Sequence, residues 1–120
     1  MTLDDERFKG PDFRPSKRVK NPKVAKKLHA KGCTCVLNCG KPGQTHHVLP
    51  KGSMRGDDVP ENLVCLCGEH HAAIHANDVC VRTEFGDYLL LERPDVVTYI
   101  RAKMGDESGA EWLSRKLFIR

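Results

Sequence analysis

Thr45-His46-His47-Val48-Leu49 and Asn62-Leu63-Val64-Cys65-Leu66, the latter running on into Cys67-Gly68-Glu69-His70-His71-Ala72-Ala73-Ile74-His75-Ala76, together hold five of the six histidines. The first two segments are short, partly apolar and bounded by Gly43, Pro50 and Pro60, which predicts a pair of strands. Pro50 to Pro60 carries Lys51, Arg55, Asp57 and Asp58 among its Gly and Pro residues and reads as a long exposed loop. Gly68 to Ala76 has helical composition, and Asn77 suits a cap just past its end.

A strand, loop, strand and helix in that order distribute the histidines by simple geometry. His71 and His75 are four residues apart, so a helix puts them on one face where both can chelate one ion. His70 points about 100° away and is free to serve a different ion. His46 and His47 are neighbours on a strand and project to opposite faces, so one can bind metal while the other acts as a base. A helical metalloprotease would carry Glu after its first histidine; Ala72 stands there and argues against that chemistry.

The cysteines frame the same unit. Cys35-x3-Cys39 and Cys67-x2-His70 are two ligand pairs on tight turns, the arrangement that tetrahedral zinc takes. Cys33, two residues before Cys35, is a rival ligand. Cys65 and Cys80 have no evident partner and read as packing residues. The polar, acidic start of the chain has no apolar core of a secretory signal, which suggests a cytoplasmic protein. In that compartment cysteines crowded beside histidines read as metal ligands rather than disulfides.

Outward from this unit, residues 1–28 form a basic N-terminal arm. Eight Lys/Arg and no Asp/Glu lie between Arg14 and Lys31, a stretch that attracts polyphosphate and makes Arg18, Lys20 and Lys23 candidate DNA contacts. A short helix is expected from Pro22 to about Lys31, stopped by Gly32. Residues 79–120 form a mainly helical extension: Arg82 to Glu92, Asp95 to Met104 with Asp95 near its cap, and a last helix from about Glu107. Val79-Cys80-Val81 and Tyr88-Leu89-Leu90-Leu91 offer a competing pair of strands. With 120 residues, 39% hydrophobic and 30% charged, the chain is one domain or a compact core with arms, has no apolar run near a membrane span, and would gain from a structural metal.

Cys…Cys-Gly, His46-His47-Val48-Leu49-Pro50-Lys51-Gly52 and Glu61-Asn62-Leu63-x3-Cys67-x2-His70-His71-x3-His75 resemble the signature of HNH endonucleases, over about residues 33 to 76. The resemblance implies an α+β fold, a small ββα-metal (His-Me finger) core braced by a structural zinc, within residues 29–78. It implies that His47 is the general base, that His46 ligates the catalytic ion where many relatives have Asp, and that Asn62 is the middle Asn of the catalytic set, bracing the hairpin and orienting the base. His71 matches the third signature position, a metal ligand, and His75 the extra ligand of colicin-type members. The structural zinc falls to Cys35, Cys39, Cys67 and His70, the last where many relatives have cysteine.

The implied reaction is hydrolysis of DNA phosphodiester bonds, by nicking or double-strand cleavage. A neutral imidazole can take a proton from water, so activity is expected to fall at acidic pH. A histidine-rich shell suits Zn²⁺, Ni²⁺ or Mn²⁺, with Mg²⁺ completed by water and phosphate oxygens. Lys51 and Arg55 are candidate phosphate contacts. The implied partner is double-stranded DNA, with a homodimer or, by analogy with compact phage-type members, packaging machinery as further partners. The competing function is a non-catalytic zinc module that binds nucleic acid or accompanies phage DNA packaging.

Overall fold

The computed structural model describes residues 18–30, 32–52 and 54–119. The arm upstream of residue 18 lies outside the described residues. Helix α1, Pro22–Ala30, begins on a proline whose missing N–H costs nothing in the first turn, and Gly32 at φ +93° turns the chain out of it. Strands β1, Gln44–His47, and β2, Leu63–Leu66, pair antiparallel with His46 opposite Val64 and His47 opposite Leu63. Then follow α2, Gly68–His75; α3, Val79–Glu92; α4, Pro94–Met104; and α5, Asp106–Leu117. Among the described residues this is a small α+β fold of five helices and one two-stranded antiparallel sheet.

All four residues of β2 are buried, so it carries no polar face and shows no alternation. β1 alternates enough to bury His46 and leave His47 partly open. One hydrophobic core runs from Leu49, Val64 and Leu66 to Phe85, Leu89, Val96, Ile100 and Leu113. The three C-terminal helices therefore pack against the hairpin and α2 rather than forming a separate core. Gly86 permits this closure: a Cβ there would sit 2.1 Å from the Leu117 carbonyl oxygen.

Several expectations are corrected. β1 ends at His47, short of Leu49, because the Leu49 amide and carbonyl are both taken by the Asn62 side chain. Asn62 lies in a 3-10 turn, Pro60–Asn62, before β2 instead of opening the strand. The loop from Pro50 to Pro60 is not exposed throughout: Met54, Gly56, Asp57 and Asp58 are buried, because the N-terminal segment and α4 close over it. Val79 to Val81 and Tyr88 to Leu91 both lie in α3, which the Asp78 carboxylate caps by accepting from the Val81 amide at 3.0 Å. At the start of α4 the Arg93 guanidinium pairs with Asp95 in the first turn. No helix among the described residues is long and apolar enough to cross a membrane.

Candidate metal centres

Two clusters of ligand-type side chains share α2. In the first, Cys35 and Cys39 lie on the turn after α1, shaped by left-handed backbone at Asn38 (φ +61°) and Gly40 (φ +70°). That curl lets an x3 spacing present both sulfurs to one point. Cys67 is the N-cap of α2, and its Sγ accepts from the His70 amide at 3.4 Å. The His70 Nδ1 lies 3.2 Å from Cys35 Sγ and 3.4 Å from Cys67 Sγ, and Cys39 Sγ is 3.6 Å from Cys67 Sγ. A tetrahedron with arms of about 2.3 Å has edges of about 3.8 Å, so this Cys₃His group, its ligand atoms all within 4.8 Å of one another, could hold an ion such as zinc. The hydrogen bond from the His70 amide, aided by Cys39 and Cys35, lowers the Cys67 thiol to about 7, whereas burial raises Cys35.

Cys33 is not part of this group. It forms a disulfide with Cys65, with Cα atoms 5.5 Å apart, and so joins the two segments that carry Cys35 and Cys67 two residues further on. Cys65 is thereby a cross-link rather than a packing residue. The preference for metal ligation over disulfides thus fails for this pair, because the Val36 amide donates to the Cys65 carbonyl at 3.0 Å and sets the two segments side by side. Cys80 is exposed on α3 and packs against no core.

The second cluster joins β1 to the opposite face of α2. His46, His71 and His75 bring one ligand atom each to within 4.8 Å of the others. Their rings meet edge-on at 4.8 Å between His46 and His71 and at 5.9 Å between His46 and His75. Burial, reinforced by the nearby His71, His75 and His47, lowers His46 to about 3. Burial also lowers His71, with His75 adding to it. Neutral imidazoles with free lone pairs are the form a metal requires. The group opens onto a cleft of about 660 Å³ also lined by His47, Lys51 and Lys116.

His47 stands outside the three-histidine group, and its Nε2 lies 2.7 Å from Asp58 Oδ1. Burial would raise the Asp58 carboxyl, but His47, the Asn21 amide and the Arg18 guanidinium together hold it below the usual carboxylate range. Asn62 is fully buried. Its Oδ1 accepts from the Leu49 amide at 2.7 Å, and its Nδ2 donates to the Leu49 and Asp57 carbonyls at 3.1 Å each. Among the described residues the side chain implied to be catalytic thus hydrogen-bonds to backbone alone and positions the loop that follows His47.

The basic candidates divide. Lys51 is exposed at the cleft, and Arg55 is exposed on the same loop. Lys20 and Lys23 are exposed beside the start of α1 but do not line the cleft. Arg18 is turned inward, with Nε donating to the Gly56 carbonyl at 2.9 Å and the guanidinium paired with Asp58, so it does not present itself to phosphate. Sequence reasoning missed Asp58, although a carboxylate is the usual partner of a ring N–H and one lay in the same hairpin. It also missed Lys116, which nothing local marks. Arg82 brings α5 to the cleft by donating from Nη2 to the Ile74 carbonyl at 2.8 Å and from Nη1 to the Lys116 carbonyl at 3.2 Å. Comparison of the chain with family models, curated proteins and solved structures found no match.

Proposed function

We propose that this protein is a metal-dependent endonuclease of the HNH type that hydrolyses DNA phosphodiester bonds. The observation that carries the reading is the convergence of His46, His71 and His75 on one point, beside a cleft that His47 also lines. The strand–loop–strand–helix order, with a Cys₃His group bracing the other face of the same helix, supports a ββα-metal core. In this reading Cys35, Cys39, Cys67 and His70 hold a structural zinc, and His46, His71 and His75 hold the catalytic ion, one of Zn²⁺, Ni²⁺, Mn²⁺ or Mg²⁺. When bound, such an ion supplies Lewis acidity at the scissile phosphate and stabilises the leaving 3′ oxygen.

His47 accepts the proton of the attacking water, a role open to the one cleft histidine outside the ligand group. Asn62 keeps the loop after His47 in register through its three hydrogen bonds to backbone. Lys51 and Lys116 stand on different elements at the same cleft, and each supplies positive charge near a bound phosphodiester backbone. A zinc module without catalysis needs only the Cys₃His group and leaves the three-histidine group without a role.

Plasmid cleavage assayed across the four ions, with wild type and His47→Ala, tests the reading. Loss of about 10²–10⁴-fold in rate is expected from removing a general base. Full activity in the variant, or no cleavage by wild type with any of the ions, refutes it.

A further inference from the structure

Asp57 and Asp58 are adjacent and buried, and the segment from Arg18 to Asn21 donates to both. Asp57 takes Tyr99 Oη at 2.7 Å, Lys103 Nζ at 2.9 Å and the Val19 amide at 2.6 Å. Asp58 takes His47 Nε2 at 2.7 Å and the Arg18 guanidinium at 2.5 Å on Oδ1, and the Asn21 amide at 2.8 Å on Oδ2. Its own amide donates to the Val19 carbonyl at 2.9 Å. We propose that Asp58 is a positioning residue for His47, and that the segment from Arg18 to Asn21 is the clamp that holds Asp58 in place for it. The inference deepens the nuclease reading and rests on it for the role of His47.

An imidazole facing a carboxylate through Nε2 carries its proton there, which leaves the lone pair on Nδ1. A carboxylate behind a histidine ring selects one tautomer and one ring orientation. Asp58 can do so only if it is itself immobile. A buried carboxylate without donors would be costly to keep ionised, and here donors from 18–21 engage both oxygens. Arg18 thereby has a purpose that its place in a basic stretch conceals. Its guanidinium reaches Asp58 and the Gly56 carbonyl together, pinning the loop on both sides of Asp57.

A merely structural staple would behave differently from a positioning group. The test uses the zinc-loaded full chain with ¹⁵N-labelled histidine, comparing wild type with Asp58→Asn, Arg18→Met and Tyr99→Phe. Long-range ¹H–¹⁵N spectra read the His47 tautomer, and plasmid cleavage gives kcat and KM. Wild type should show His47 protonated on Nε2. Asp58→Asn should shift that pattern and lower kcat about 10–100-fold, the usual size of such an effect, with KM unchanged. Arg18→Met should move both readouts in the same direction by less, and it carries the test where Asp58→Asn fails to fold. Tyr99→Phe loosens the same loop through Asp57; it should lower the melting temperature and leave the His47 spectrum as in wild type.

A wild-type spectrum and kcat in both Asp58→Asn and Arg18→Met overturn the proposal, as does a Tyr99→Phe spectrum altered as much as theirs. Should wild type cleave nothing, the spectra alone decide. A shifted His47 ring in Asp58→Asn then keeps the positioning role while the nuclease reading falls.

Discussion

Replacing Asn62 by alanine removes one amide and strands three backbone groups. The Leu49 amide, the Leu49 carbonyl and the Asp57 carbonyl each lose their side-chain partner, in a place where Asn62 itself is fully buried. An unsatisfied buried group costs about 1–3 kcal/mol, and partial access of water to a loosened loop sets the sum near 3–5 kcal/mol. A domain of this size has only about 5–15 kcal/mol in total. At about 4 °C per kcal/mol, the melting temperature should fall by about 12–20 °C. The assay is thermal and urea unfolding at a fixed free zinc concentration, since bound metal shifts apparent stability. Asn62→Asp should be no better, because its second oxygen would face the two carbonyls that Nδ2 now serves. A melting temperature within about 4 °C of wild type, roughly 1 kcal/mol, would refute the view that Asn62 is the brace of this hairpin.

Stability should also fall in mild acid. His46 has a folded value of about 3 against 6.5 in the unfolded chain, so its contribution is complete above 6.5 and is lost as pH falls towards 3. Asp57 and Asp58 are both held below 3.8, so their contribution is present above 3.8 and is lost only at lower pH. Urea midpoints of protein with no ion at the three-histidine group should therefore decline from pH 7.5 to pH 4.5; a flat profile would contradict the burial of a neutral His46. Cys33→Ser with Cys65→Ser should cost about 3.7 kcal/mol, the chain-entropy value for a loop closed across a separation of 32 residues. Unchanged unfolding by urea would show that this cross-link does not hold the two cysteine-bearing segments together.

Much of the site was legible because it is local. The i, i+4 spacing of His71 and His75 gives one helical face regardless of what packs around it, and the Cys67-x2-His70 turn follows from helix capping. Alternation along a strand separates His46 from His47 by the same kind of rule. The helices of the C-terminal half were visible in apolar spacing, except where Val79 to Val81 offered two periods and the Asp78 cap decided between them.

What the chain alone determined is therefore the repertoire: the ligand types, their grouping into pairs, and the faces that local periodicity assigns to them. Tertiary structure decided which groups meet. A carboxylate in a loop has no periodicity, so nothing local ties Asp58 to His47 or turns Arg18 inward from a basic stretch. The Cys33–Cys65 cross-link depends on two segments lying side by side, and the Lys116 rim of the cleft depends on α5 packing against α3 and α4. Bonds between residues so far apart form only after chain entropy has been overcome by burying the common core, and that core is a property of the whole fold.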